Sequence, residues 1–231
     1  MKKFFTFILL ASLIFLPFTS FAKEFKVAID IGHFLKKPGV ISYHKIPEYQ
    51  FNKNIAFMLN DKLREMRISS FIIDTTGNIE SLTERANIAY EKGASVLIVL
   101  HHDSLQSQDL YRCKKFSGYS LFVSKYSPSQ SLELAKQIGY KMKEYGFKFN
   151  TYHHRNISGE NKKFLDKKLG VYSYDNLIIL KHSKIPAALL EVGILVNPNE
   201  EWKLLNKSYQ TQLVEAIAIG ISCYKDQIRG R

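Results

Sequence analysis

Four side chains in this sequence are of the types that metal-assisted hydrolysis needs: His33, Glu48, His101 and Glu191. Two imidazoles and one carboxylate make a common ligand set for catalytic zinc, which keeps a further position open for water. A second carboxylate then takes the proton from that water. His33, Glu48 and His101 fit the ligand set, and Glu191 fits the base. Each also has a plainer explanation. A histidine at a strand end is commonly a hydrogen-bonded structural residue, and a glutamate in a first helical turn complements the helix dipole. Glu191 is harder to explain away. It interrupts the apolar stretch 187–196, where a carboxylate is costly to bury unless it is functional or paired with one of the many lysines.

The four residues lie far apart in sequence, so only a fold can unite them. Apolar segments alternate between strand and helix periods over residues 23–231, without repeats or low-complexity linkers. That pattern reads as a single α/β domain whose mostly parallel central sheet is flanked by helices on both faces. Residues 25–31 form a strand-like run ending at Gly32-His33. Pro47 opens a helix that places Glu48 in its first turn. A second strand is expected at 70–74, and Ser81-Leu82-Thr83-Glu84 has the spacing of a capping box for a helix reaching about Lys92. The wholly apolar run 95–100 suits a strand covered on both faces and delivers His101, His102 and Asp103 at its end. Further strands are expected at 118–124, 176–181 and 187–191, with helices at 129–145 and 209–227. Residues 147–173 read as an irregular insertion, and loops this long inside a domain are often functional. Ligands of such open sheets bind beyond the carboxyl ends of the strands, which puts His33, His101 and Glu191 on one rim.

Five segments, in order, resemble the motifs of zinc-dependent N-acetylmuramoyl-L-alanine amidases, the family that cleaves bacterial cell walls. Asp30-Ile31-Gly32-His33 matches a D-x-G-H strand end, and Glu48 in Pro47-Glu48-Tyr49-Gln50-Phe51-Asn52 matches an early helical Glu. Leu82-Thr83-Glu84-Arg85 matches L-x-x-R, and Val99-Leu100-His101-His102-Asp103 matches S-I-H-x-N. Leu189 to Asn197 matches L-x-E-x-G-F-x-x-N. The resemblance spans nearly the whole chain after residue 22. It implies that His33, Glu48 and His101 bind Zn2+ and that Glu191 is the catalytic carboxylate. It further implies hydrolysis of the amide between N-acetylmuramic acid and L-alanine of peptidoglycan. Two other readings stay open: a zinc peptidase acting on stem peptides, and a non-catalytic peptidoglycan-binding protein.

The sequence departs from the family pattern at Ile31, Phe34, Tyr90, Val99 and Asp103. None of these removes a proposed ligand. His102 adjoins His101 and competes with it for the ligand role, but adjacent strand residues point to opposite faces, and the motif favours His101. Arg85 is expected to support the site. His153 and His154 are candidates for substrate contact from the insertion, and Glu160 for an autoinhibitory metal ligand.

At 231 residues the chain is long enough for one sizeable core. Residues 1–22 have the form of a signal peptide: Lys2 and Lys3, an apolar run, then small residues at Ser20 and Ala22. An uncleaved membrane anchor is the alternative. Its removal leaves a net charge of about +10, from 31 basic and 21 acidic residues, suited to acidic wall polymer or acidic lipid. The protein is accordingly expected to be exported, to the periplasm or to the cell wall outside the cell. Peptidoglycan is then the expected partner and nucleic acid is not. A membrane enters only through the signal segment, if that stays uncleaved. No wall-binding module is recognisable, so targeting falls to the catalytic domain or to a partner such as an activator protein. Cys113 and Cys223 form at most one disulfide, and free thiols are an equal expectation.

Overall fold

The order of the sheet explains how distant residues meet. The computed structural model of the chain describes residues 24–154 and 161–230, so residues 1–22 and Glu160 lie outside the described residues. The first half contains β1 (Lys26–Ile31), α1 (Glu48–Glu65), β2 (Ser69–Ile72), α2 (Leu82–Glu91) and β3 (Val96–Asp103). Beyond these come β4 (Ser120–Val123), α3 (Gln130–Glu144), β5 (Lys163–Asp166), β6 (Val171–Ser173) and α4 (Ile178–Lys181). The last elements are β7 (Ala187–Ile194), α5 (Pro198–Leu205) and α6 (Lys207–Arg229).

Seven strands form one sheet in the order β2-β1-β3-β7-β4-β6-β5. The pairs β1–β2, β1–β3, β3–β7 and β4–β6 are parallel, while β4–β7 and β5–β6 are antiparallel. The expected α/β class with a mostly parallel sheet holds. Its two apolar faces are covered separately. Ile29, Ile98, Leu100 and Leu190 pack with α1, α3 and α6, whereas Leu97, Val99, Phe122 and Leu189 pack with α2 and α4. Helix α1 shows why its sequence folds as it does. Ile55, Leu59 and Leu63 recur at helical spacing and are fully buried, each stabilising the fold by roughly 1.5–3 kcal/mol.

The chain leaves β1 toward β2 on one side and returns to β3 on the other. The order therefore reverses between β1 and β3, the place where open α/β sheets bind ligands. Glu48 begins α1 on that same rim, with Pro47 as an extended N-cap residue that supplies no side-chain cap. Ser81, by contrast, caps α2 by accepting from the Glu84 amide.

The segment 176–181 is a correction: it forms helix α4 rather than a strand closing the sheet. A short apolar run fits a buried helix turn as well as a strand, and periodicity cannot separate them. The sheet positions beyond β4 are filled instead by β6 and β5, from within the 147–173 stretch. Helix α5 went unread although Asn197-Pro198 is a helix-start signal; the Asn197 side chain accepts from the Asn199 amide. Cys113 and Cys223 are both free thiols. Among the described residues no helix is long and apolar enough to cross a membrane.

Candidate metal centre and active site

Glu48 is the hub of the site. Its carboxylate is 2% exposed and reaches both imidazoles, with Oε2 2.8 Å from His33 Nε2 and Oε1 3.1 Å from His101 Nδ1. The potential donor atoms of the three residues all lie within 4.8 Å of one another. The His33 and His101 ring centroids are 4.8 Å apart at 70°. Burial works against ionisation of Glu48. The hydrogen bonds and charge of His101 and His33 outweigh it and hold the carboxyl well below the usual range. Both imidazoles remain partly exposed, so a ligand can approach from solvent.

The backbone is shaped to this cluster. A Cβ on Gly32 would sit 2.5 Å from the His101 ring, and one on Gly39 would overlap the Glu48 carboxylate and the His33 ring. Glycine at both positions leaves room for three donors to converge. His33 itself has φ 69°, a left-handed conformation unusual for a non-glycine residue. Arg85 holds it there. Its guanidinium donates to the carbonyls of His33 (2.7 Å), Ile31 (2.9 Å) and Ile79 (2.8 Å), and lies 3.4 Å from Asp30. Arg85 is buried at 1% exposure and its contacts here are with the backbone around His33. Phe34, where the family motif has glycine, places its ring 5.9 Å from that guanidinium. Burial raises the Asp30 carboxyl to about 6 even with Arg85 beside it.

Glu191 arrives from β7. His101 and Glu191 are direct register partners across the parallel β3–β7 pair, so their side chains leave the same face of the sheet. The Glu191 Oε2 atom is buried with no hydrogen-bond partner among the described residues. Burial, followed by the nearby charges of Asp103 and Glu48, raises its pKa well above the ordinary carboxylate value, and Lys162 opposes this. Such a group is what a protein avoids unless it has a function. Glu191 also lines a cavity of about 220 Å³ whose walls include Asp103, Phe122 and His153.

The structure separates the two adjacent histidines. His102 points to the α1 side, where Nδ1 lies 2.7 Å from Asn52 Oδ1 and the ring packs 5.4 Å from Phe51. It is outside the cluster of donors and is a buried structural residue. Burial lowers its pKa to about 3, with the Glu48 charge opposing. Because the unfolded chain protonates His102 near 6.5 and the folded chain does not, this group contributes stability above that pH. The contribution is lost progressively as pH falls from about 6.5 toward 3. Denaturant titrations of wild type and His102→Gln, both with chelator, should show a steeper acid loss in wild type; parallel curves would contradict this burial effect.

His153 and His154 diverge as well. His153 is buried against Asp103, while His154 meets Phe164 edge to face with centroids 4.1 Å apart. Sequence reasoning missed Asn52, which donates to Glu48 Oε1 and to the Gly32 carbonyl while facing His102. Its signal was the i, i+4 spacing from Glu48 on one helix face.

The family model described as N-acetylmuramoyl-L-alanine amidase matches residues 27–223. The chain belongs to that family. A Buchnera aphidicola (subsp. Baizongia pistaciae) protein provisionally named an N-acetylmuramoyl-L-alanine amidase is 28% identical over 212 residues, 86% of this chain and 95% of its own. The germination-specific N-acetylmuramoyl-L-alanine amidase of Bacillus subtilis is 26% identical, over 86% of this chain and 78% of its own. Among solved structures, the N-acetylmuramoyl-L-alanine amidase of Clostridium difficile 630 superposes with a TM-score of 0.73 at 26% identity, covering 89% of this chain and 98% of that one. Membership of the amidase family and the α/β fold therefore agree with what the five motifs imply.

Proposed function

We propose that this chain is a zinc-dependent amidase that hydrolyses the bond between the lactyl group of N-acetylmuramic acid and L-alanine in peptidoglycan. The observation that carries the reading is the register pair His101–Glu191. It sets a carboxylate whose buried Oε2 has no hydrogen-bond partner among the described residues beside a convergent cluster of two imidazoles and a carboxylate. His33, Glu48 and His101 suit zinc, because mixed imidazole and carboxylate donors are its usual catalytic set. Held there, zinc would supply Lewis acidity toward water and the scissile carbonyl, and its positive charge would favour the ionised form of Glu191. Glu191 then accepts the water proton and returns it to the departing amine of L-alanine. Glu48 differs from Glu191 in being held by the Val40 and His102 amides and by Asn52; in this reading it is spent on the metal and does not shuttle the proton. A wall-binding protein has no use for Glu191, which weighs against the non-catalytic reading.

Residues 1–22 serve, in this reading, as a cleavable export signal, and the excess positive charge favours a wall polymer with carboxylated peptides. The metal part has a direct test. Purified chain should carry about one zinc ion per molecule, in line with a single three-ligand centre. Chelator should abolish hydrolysis and added zinc restore it. Full activity in metal-free protein would overturn the zinc assignment.

A further inference from the structure

A second polar cluster faces the cavity beside Glu191. Asp103, His153 and Lys162 line it together with Phe122 and Tyr174. His153 Nε2 lies 2.6 Å from Asp103 Oδ2, and His153 Nδ1 lies 2.7 Å from Lys162 Nζ. An ammonium only donates, so Nδ1 accepts and the Nε2 proton goes to Asp103. That assignment fixes the orientation of the His153 ring. Asp103 is fixed in turn by the Asn150 amide at 3.0 Å and the Ser104 backbone N–H at 2.8 Å. Lys162 Nζ also lies 5.4 Å and 5.0 Å from the ring centroids of Phe122 and Tyr174, within cation–π range. The relay thus positions an ammonium through the His153 imidazole. It also accounts for Asp103, which stands where the amidase motif has asparagine: a carboxylate is the stronger acceptor for the His153 N–H.

We propose that Lys162, positioned by Asp103 and His153, binds the free carboxylate of the stem-peptide residue that follows L-alanine. The inference rests on the amidase reading above. In that reaction the stem peptide is the leaving group, and its amine must come within reach of Glu191 to be protonated. The next residue of the peptide therefore lies close to the cavity that Glu191 shares with Lys162. Asp103 and Glu191 repel an anion elsewhere on these walls, so Lys162 is the position that selects it. The consequence is specificity: a stem peptide with a carboxylate at its second residue is preferred over one carrying a carboxamide there.

Titration calorimetry of the full chain with L-Ala-D-Glu and with L-Ala-D-isoglutamine tests this, since the second ligand replaces that carboxylate by a carboxamide. Wild type should bind the acid about tenfold or more tightly than the amide, the scale of one charge-assisted hydrogen bond. Lys162→Met should bind the two alike, while Lys162→Arg keeps a preference. His153→Gln should lose part of the preference, because it no longer orients the ammonium. Equal affinities in wild type, no binding of either dipeptide, or an undiminished preference in Lys162→Met would overturn the proposal. Release of stem peptides from peptidoglycan is scored separately. Its absence would count against the amidase reading, whereas the dipeptide preference reports on Lys162 alone.

Discussion

Glu191→Gln should lose hydrolysis of peptidoglycan by about 10²–10⁴-fold while retaining zinc, the range typical for removal of a general base. The amide has nearly the same shape but cannot accept the water proton. The environment predicts that the loss is chemical rather than structural. Glu191 is crowded by the charges of Asp103 and Glu48, and its buried Oε2 has no hydrogen-bond partner among the described residues, so neutralising it relieves repulsion. Thermal stability should therefore be unchanged or raised, and zinc content should stay at the wild-type level. Measuring turnover, metal content and melting on one preparation separates these effects. Unchanged turnover would remove Glu191 from the mechanism.

His33→Ala should lose both zinc and activity. His33 supplies one of three donors, and its loss leaves Glu48 and His101 alone to hold the ion. Removal of a ligand should weaken binding by more than the roughly 10–100-fold that loss of an outer-shell partner causes. His102→Gln is the matched control. It alters the neighbouring imidazole, which hydrogen-bonds Asn52 on the α1 side, and should keep its zinc. Metal analysis after dialysis against buffer reads both variants. Full occupancy in His33→Ala, or zinc loss confined to His102→Gln, would reverse the assignment of ligands.

The residues of this centre were legible in the sequence because each sits where a period changes. His33 and His101 follow apolar strands, Glu48 follows a proline that opens a helix, and Glu191 breaks an apolar run. The parallel sheet was legible for the same reason, since uninterrupted apolar strands such as 96–100 need cover on both faces. What the sequence did not yield is the packing between elements. The antiparallel entry of β4 beside β7 leaves no local mark, so the place of 118–124 in the sheet could not be read. Helix α4 is a single turn whose four residues have no period to detect. The Asp103–His153–Lys162 relay joins residues 50 and 9 apart through side chains alone and has no spacing signature. His153 and His154 look like one pair in sequence, yet one is buried at the cavity and the other meets Phe164 edge to face. Only the fold could separate them.

An amidase and a peptidase differ in which bond is cut. Purified peptidoglycan digested with the full chain, with and without chelator, and resolved by mass spectrometry reads this directly. The amidase reading predicts intact stem peptides with a free L-alanine amino terminus, released from unshortened glycan and absent when zinc is removed. Shortened stem peptides, or release that chelator leaves unchanged, would contradict it.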